Sequence, residues 1–311
     1  MRPAADVLLL VLLGAAPVSA QGRLGVDFTP GLVPLVPGVY AYEGSLHLDG
    51  EDEVVRTNSL VVVTDEGVVV VDGQDSLDEG LAMIAAIREV TAQPIRYLIN
   101  ASPHGDHINS NEVFVGATII AHEGAAEAID EVRARTISAG SGFLPTRPHQ
   151  TYRDKMTLTV GGRSIELYFF GRGHTRGDTV VFLPEEGVAF LSELYFNGVF
   201  ASVGEGYVRE HIETLRQAMA LPAEWWIPGH GFIAGQTKEQ LAAGVGSYLR
   251  NLEAIYAAVS LRVARGEALE QVLAGIDPDL GTFTELPFYP YLKSSAISGT
   301  YRALTEGPGG G

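Results

Sequence analysis

The sequence contains no cysteine, which removes several kinds of chemistry at once. The chain can form no disulfide, and it offers neither a thiolate metal ligand nor a cysteine nucleophile. Any zinc-type site must therefore be built from histidine, aspartate and glutamate side chains.

Basic residues are scarce as well. The chain has 21 lysines and arginines against 38 aspartates and glutamates, which gives a net charge of -17. A protein this acidic repels nucleic acid and anionic membrane surfaces. We therefore expect neither a nucleic acid partner nor, after removal of the N-terminal segment, a membrane. The sequence predicts no oligomeric state.

A long hydrophobic run occurs only at the N-terminus. Residues 7–18 are apolar, Arg2 precedes them, and Val18-Ser19-Ala20 is a small-residue cleavage pattern. The run is shorter than the roughly 20 residues of a membrane span. We expect a signal peptide over residues 1–20 and a periplasmic or secreted protein; the alternative is an uncleaved anchor or a buried helix.

The rest of the chain alternates between strand and helix patterns. Two β-branched runs, at 59–64 and 67–72, flank a turn, and their continuous apolar character predicts a sheet covered on both faces. Ser76 and Glu79 form a capping-box pattern that begins a helix. Further strands are predicted at 95–100, 118–121, 156–160, 164–170, 179–183 and 188–191, and helices near 124–135, 212–219 and 238–265.

These elements predict a single α/β domain over residues 21–306. With 311 residues and 46% hydrophobic content, the chain can build one large core. The alternation of strands and helices favours a four-layer αββα sandwich of two mixed β-sheets with helices outside. We expect the glycine-rich end, 307–311, to be a disordered tail.

Candidate metal ligands stand where predicted strands end, in loops that can converge into one cleft. Adjacent side chains in an extended loop point to different sides, so Asp106 and His107 suggest two neighbouring metal positions. The remaining histidines, His47, His122, His149 and His211, are expected to be ordinary surface or core residues. The candidate ligands are His104, Asp106, His107, His174, Glu193 and His230.

In this order, the motifs resemble those of the metallo-β-lactamase-fold metallo-hydrolase superfamily. Asp72 ends a strand where the family has an acidic residue. The other matching segments are Ser102-x-His104-x-Asp106-His107, Gly173-His174-Thr175 with Asp178, Ser192-Glu193, and Pro228-Gly229-His230-Gly231. The resemblance covers most of the chain, from about Val39 to Tyr301.

The resemblance implies a metal-dependent hydrolase that cleaves an amide, lactam, lactone or ester bond of a small-molecule substrate, with a β-lactam as one candidate. It also implies two metal positions and the predicted four-layer sandwich. The first position would use residues 102, 104 and 174, and the second would use Asp106, His107 and His230. Zinc is the expected metal, as one or two ions, and the oxygen ligands leave iron or manganese possible. Asp106 would also orient the attacking water, and Asp72 and Asp178 would hold ligand histidines in one tautomer.

Two residues depart from the family pattern. Ser102 stands where the family has its first histidine, and a neutral hydroxyl is a poor zinc ligand. Glu193 replaces the usual bridging aspartate and is one methylene longer; its alternative role is that of a solvated or supporting acid. We therefore expect a robust second position with one ion at full occupancy, and a weakened first position.

Other functions remain open at this point. A binding or accessory protein that kept the fold and lost turnover would also explain Ser102 and Glu193. An iron oxygenase of the same fold would depend on the first position, which is damaged here. Ser102 as a nucleophile would lack the Gly-x-Ser-x-Gly elbow that such serines use.

Overall fold

The computed structural model describes residues 29–47, 54–140 and 142–307. The predicted signal peptide and its cleavage point lie outside these residues, as does 308–311 of the predicted tail. Within the described ranges, none of the helices combines the length and the apolar character needed to cross a membrane.

The described residues form sixteen strands, most of them in two large sheets. In chain order they are β1 (Gly31–Val36), β2 (Val39–Glu43), β3 (Leu46–His47), β4 (Val54–Val55), β5 (Asn58–Thr64), β6 (Gly67–Val71), β7 (Ile95–Asn100), β8 (Thr118–His122), β9 (Gln150–Tyr152), β10 (Lys155–Val160), β11 (Arg163–Tyr168), β12 (Val180–Leu183), β13 (Val188–Phe190), β14 (Phe196–Asn197), β15 (Trp225–Ile227) and β16 (His230–Gly231).

Eight α-helices accompany the strands in the same part of the chain. They are α1 (Leu77–Val90), α2 (Gly105–Ile108), α3 (Glu123–Ala139), α4 (Val208–Ala218), α5 (Lys238–Ala264), α6 (Leu269–Gly275), α7 (Asp277–Leu280) and α8 (Tyr289–Thr305). As predicted, Ser76 caps α1, since its hydroxyl accepts the backbone N–H of Glu79.

Both large sheets are mixed. The first has the order β1-β2-β5-β6-β7-β8-β9, antiparallel up to β6 and parallel from β6 onward. The second has the order β10-β11-β12-β13-β15, antiparallel except for the parallel pair of β13 and β15. β14 pairs with β16, and β3 with β4, in two short ribbons.

Alternating side chains of each strand serve two different cores, which produces the four layers. On β6, Val69 and Val71 pack into the core between the sheets, and Val70 packs outward against α1. In the second sheet, Val181 faces the inner core and Val180 faces the core formed with α4 and α5. The predicted αββα sandwich, with strands covered on both faces, is confirmed.

The sequence patterns missed the C-terminal helices. Beyond Ala264 the chain forms α6, α7 and α8, for which the sequence predicted no elements. α8 packs on α5 and on α6, so its burial comes from tertiary contacts rather than from a strong local signal.

Candidate metal centre

Loops at the ends of strands from both sheets bring the six candidate ligands together. α2 follows β7, the Ser192–Leu194 turn follows β13, and β16 follows β15. The ligands form two groups, in each of which the ligand atoms lie within 4.8 Å of one another. One group is Asp106, His107, Glu193 and His230, and the other is His104, His174 and Glu193.

The segment that carries Asp106 and His107 is not the extended loop that we predicted. The backbone N–H of His107 donates to the carbonyl of His104 at 3.0 Å, and the chain forms the helical turn α2. A helical turn places Asp106 and His107 in one group rather than on opposite sides. His104, just before the turn, faces the other group.

At the second position, the Nε2 atoms of His107 and His230 face each other. Nδ1 of His107 lies 3.0 Å from Oδ2 of Asp72, and Nδ1 of His230 lies 3.1 Å from the carbonyl oxygen of Arg56. Since these partners only accept, a proton on each Nδ1 would leave both Nε2 atoms free to bind a metal. The two Nε2 atoms are 3.3 Å apart, which is a contact that a cation between them would satisfy.

Two carboxylates bring the donors at this position to four. Oδ2 of Asp106 lies 3.4 Å from Nε2 of His107 and 3.3 Å from Nε2 of His230. Oε1 of Glu193 lies 3.2 Å from Nε2 of His107. Two imidazoles and two carboxylates are ligands that zinc accepts, so the residues present fit the metal that the motifs predict.

The first position has fewer donors. Nδ1 of His174 lies 2.9 Å from the carbonyl of Ser202, which leaves its Nε2 facing Oε2 of Glu193 at 3.1 Å. His104 directs Nδ1 toward Oε1 of Glu193 at 3.0 Å. These three residues fit a cation, with one protein ligand fewer than the second position.

Ser102 stays outside both groups. It is fully buried, and its hydroxyl accepts the backbone N–H of His104 at 3.2 Å. The side chain therefore fixes the backbone that presents His104.

Glu193 joins the two positions, because Oε1 contacts both groups and Oε2 faces only the first. Burial raises the pKa of this carboxyl, but the surrounding imidazoles, His174 first, outweigh burial and hold the pKa well below its usual range. Burial lowers the pKa of His107, but Asp106 and Asp72 outweigh it and raise that pKa well above its usual value. The strong negative potential is what a bound cation requires.

Asp72 supports the second position from behind. Its Oδ1 accepts the backbone N–H of Ala101 at 2.6 Å, and its Oδ2 accepts the hydroxyl of Ser192 at 2.5 Å. Asp72 and Ser192 both adopt positive φ, +60° and +47°. Because serine rarely adopts this conformation, the hydrogen bond offsets a strained backbone next to Glu193.

We expect the Ser192→Ala variant to be less stable than Ser192→Gly, by roughly 1 kcal/mol. Both variants lose the hydrogen bond to Asp72, but glycine relieves the positive φ and alanine keeps it. Urea unfolding of the two variants measures the difference. An alanine variant as stable as the glycine variant would show that Ser192 carries no strain.

We expected Asp178 to hold a ligand histidine, but its hydrogen bonds are with Thr175. It accepts the backbone N–H and the hydroxyl of Thr175, both at 2.7 Å, and so closes the loop that presents His174. Burial raises the pKa of Asp178 to about 7, against the hydrogen bonds from Thr175.

Two histidines that we expected to be ordinary have structural contacts. Nδ1 of His122 accepts the N–H of Gly124 and caps α3. His211 is fully buried behind the site, where Nε2 donates to the carbonyl of Leu194 at 3.1 Å. Burial lowers the pKa of His211 to about 3, so it stays neutral and braces the turn that carries Glu193.

Glu205 is a site residue that the sequence did not reveal. Its Oε1 lies 3.3 Å from Nε2 of His104, the nitrogen that faces away from Glu193. A carboxylate there holds the proton on Nε2 and leaves Nδ1 free to bind a metal. Glu205 lies in a loop before α4 without a motif, and only the folded chain brings it to His104.

We expect Glu205→Ala to weaken zinc binding at the first position about tenfold, because His104 loses the partner that fixes its tautomer. Two-step zinc competition measures both affinities. Glu205→Gln, whose amide oxygen still accepts, should retain most of the affinity, and Glu112→Ala, on an exposed turn, should change neither step. An equal loss at both positions would contradict this role.

A cleft of ≈ 200 Å³ opens directly over the two groups. Its floor contains His104, Asp106, His174, Glu193 and His230. Apolar side chains form its wall: Phe196, Val199, Phe288 and Leu292. A small substrate in this cleft would lie beside both metal positions, with its other atoms against the apolar wall.

Several known proteins are similar to this chain in sequence or in structure. A metallo-beta-lactamase type 2 of Bacteroides fragilis is 22% identical over 234 residues, which cover 73% of this chain and 90% of that protein. A solved metallo-beta-lactamase from Pontibacter korlensis has a TM-score of 0.57 at 21% identity and covers 72% of this chain and 100% of its own. The stereoselective inverting sec-alkylsulfatase Pisa1 from Pseudomonas sp. has a TM-score of 0.66 at 15% identity, with 88% of this chain and 50% of its own chain covered.

At these identities the solved structures establish the fold alone, and the family model goes further. The model described as the metallo-beta-lactamase superfamily matches residues 52–230, more than half of the chain and the part that holds all six candidate ligands. The chain belongs to the metallo-beta-lactamase superfamily.

Proposed function

We propose that this protein is a metal-dependent hydrolase, with zinc as its metal, that cleaves an amide, lactam, lactone or ester bond of a small molecule. The observation that carries the proposal is the pair of donor groups that share Glu193 beneath a small cleft. When bound there, a divalent ion lowers the pKa of water from 15.7 to about 7 and polarises the substrate oxygen.

The side chains have distinct tasks in this reaction. Asp106 lines the cleft, and the hydroxyl of Thr57 donates to its Oδ2 at 3.3 Å. This bond fixes the carboxylate, which can orient a water and accept its proton. Asp72 holds His107 in the tautomer whose Nε2 faces the second position. The apolar wall offers a surface for the apolar part of the substrate.

Activity assays test the proposal on the full chain. Zinc-loaded protein is assayed against a panel of chromogenic lactams, lactones and esters, then stripped with a chelator and reloaded. We expect at least one substrate to be hydrolysed in a metal-dependent manner and Asp106→Asn to lose that activity. Stoichiometric zinc without turnover would instead support the binding or accessory protein, which the placement of Ser102 outside both groups favours.

We also propose that the protein is exported, because residues 7–18 and the Val18-Ser19-Ala20 pattern have the form of a signal peptide. Expression with the N-terminus intact, followed by mass spectrometry, tests this proposal. A mature chain that begins at Gln21 in the exported fraction supports it, and an uncut chain inside the cell contradicts it.

A further inference from the structure

A second cleft, of ≈ 490 Å³, adjoins the metal centre at His104. Of the described residues, His104 alone lines both clefts, so the two meet at this side chain. We call the cleft over the metal groups the apolar cleft, after its wall of Phe196, Val199, Phe288 and Leu292, and the second one the arginine cleft, after Arg135, Arg176 and Arg302.

The three arginines of the arginine cleft outnumber its two glutamates, Glu131 and Glu205. Glu131 lies 2.8 Å from Arg176, and Glu205 lies 3.3 Å from His104. Among the described residues, Arg135 and Arg302 have no carboxylate within ion-pair distance. In a chain with a net charge of -17, two such guanidinium groups beside the metal centre form a site for an anion.

One helix serves both clefts. α8 begins beside Phe288 and Leu292 in the apolar cleft and reaches Arg302 in the arginine cleft, a span of about 15 Å from Leu292. Phe288 is buried with φ +63°, a conformation that a bulky residue holds only under the constraint of its surroundings. Nη2 of Arg302 donates to the carbonyl of Gly204 at 3.2 Å, which fixes the guanidinium at the cleft wall.

We propose that α8 selects the substrate, which is a linear amide with an apolar acyl group and a carboxylate on its amine side, of the N-acyl amino acid type. This inference rests on the proposed function and names its substrate class. The acyl chain occupies the apolar cleft, the scissile carbonyl lies at the metal centre, and the carboxylate binds Arg302. Hydrolysis breaks the C–N bond: the water oxygen joins the acyl carbon, and the amine leaves with a proton from that water.

The anion site is tested by binding, without any reaction. The probe is 4-oxoundecanoate, the analogue of N-octanoylglycine in which CH2 replaces NH, and its neutral partner is 4-oxoundecanamide. Calorimetry on zinc-loaded full-length protein should show the carboxylate bound about tenfold more tightly than the amide. Arg302→Gln and Arg135→Gln should reduce this preference, and Arg250→Gln, on exposed α5 surface outside both clefts, should keep it.

If the carboxylate preference is absent, or survives Arg302→Gln unchanged, the arginine cleft is not the anion site. The acyl site is tested with 4-oxopentanoate, which should bind about tenfold or more weakly than 4-oxoundecanoate because it lacks six methylenes. Leu292→Ala should shrink that difference, while Leu261→Ala, at an exposed position on α5, should not. A difference unaffected by Leu292→Ala overturns the role of α8 in acyl binding.

Turnover is measured separately, as glycine released from N-octanoylglycine. If the analogues bind as predicted and no glycine appears, the substrate site stands and the proposed hydrolysis of this amide fails. If N-acetylglycine and N-octanoylglycine are cleaved with equal kcat/KM, hydrolysis stands and the selection by α8 fails.

Discussion

His230→Ala will weaken zinc binding at the second position by more than about a hundredfold. This loss exceeds the one expected when only a hydrogen bond to a ligand is removed. The variant removes one of the two imidazoles whose Nε2 atoms lie 3.3 Å apart there, and it leaves His107 as the single histidine beside Asp106 and Glu193. His107→Ala should have the same effect. Hydrolytic activity should fall with the metal in both variants.

His174→Ala should lower activity only in part, because it affects the first position, which already lacks a histidine at Ser102. His149→Ala, an exposed histidine outside both groups, is the matched control and should leave zinc binding unchanged. Zinc competition and circular dichroism separate metal loss from unfolding. Equal loss of activity in the three site variants would contradict the asymmetry between the two positions.

Ser102→His will strengthen zinc binding at the first position by more than about tenfold, since a third imidazole joins His104 and His174. Ser102 lies directly before the segment that presents His104, where the resemblance places a ligand histidine. Two-step zinc titration measures the gain. Thermal unfolding shows whether the buried position accepts the larger side chain.

Ser102→Ala is the control for that variant. It removes the hydrogen bond to the backbone of His104 but no metal ligand, so zinc affinity should change little. If Ser102→Ala weakens the first position as strongly as His104→Ala does, the serine hydroxyl contributes far more than one backbone hydrogen bond. That result would contradict the placement of Ser102 outside both groups.

The fold was predictable because its signals are local. The runs at 59–64 and 67–72 are apolar on both faces, and all residues of β6 are buried between two layers. The capping-box pattern of Ser76 and Glu79 likewise predicted where α1 begins. α8 has no comparable signal, because its position depends on contacts with α5 and α6 that are distant in sequence.

The ligands were predictable for a different reason. His104, His174 and His230 each stand in a short motif after a strand, so their convergence followed from the order of the elements. Glu205 and the positive φ of Ser192 carry no such pattern, and they depend on which loops meet in the folded chain. The helical turn at Asp106 was missed because it has four residues. A segment this short shows no hydrophobic periodicity that would distinguish a helical turn from an extended loop.

The central claim is that six side chains form two metal positions of unequal strength. Crystals of the full chain equilibrated with limiting zinc, measured at the zinc absorption edge, test this claim most directly. The account predicts a strong anomalous peak among Asp106, His107 and His230, and a weaker peak between His104 and His174. Peaks of equal height, or no peak among these residues, would contradict it.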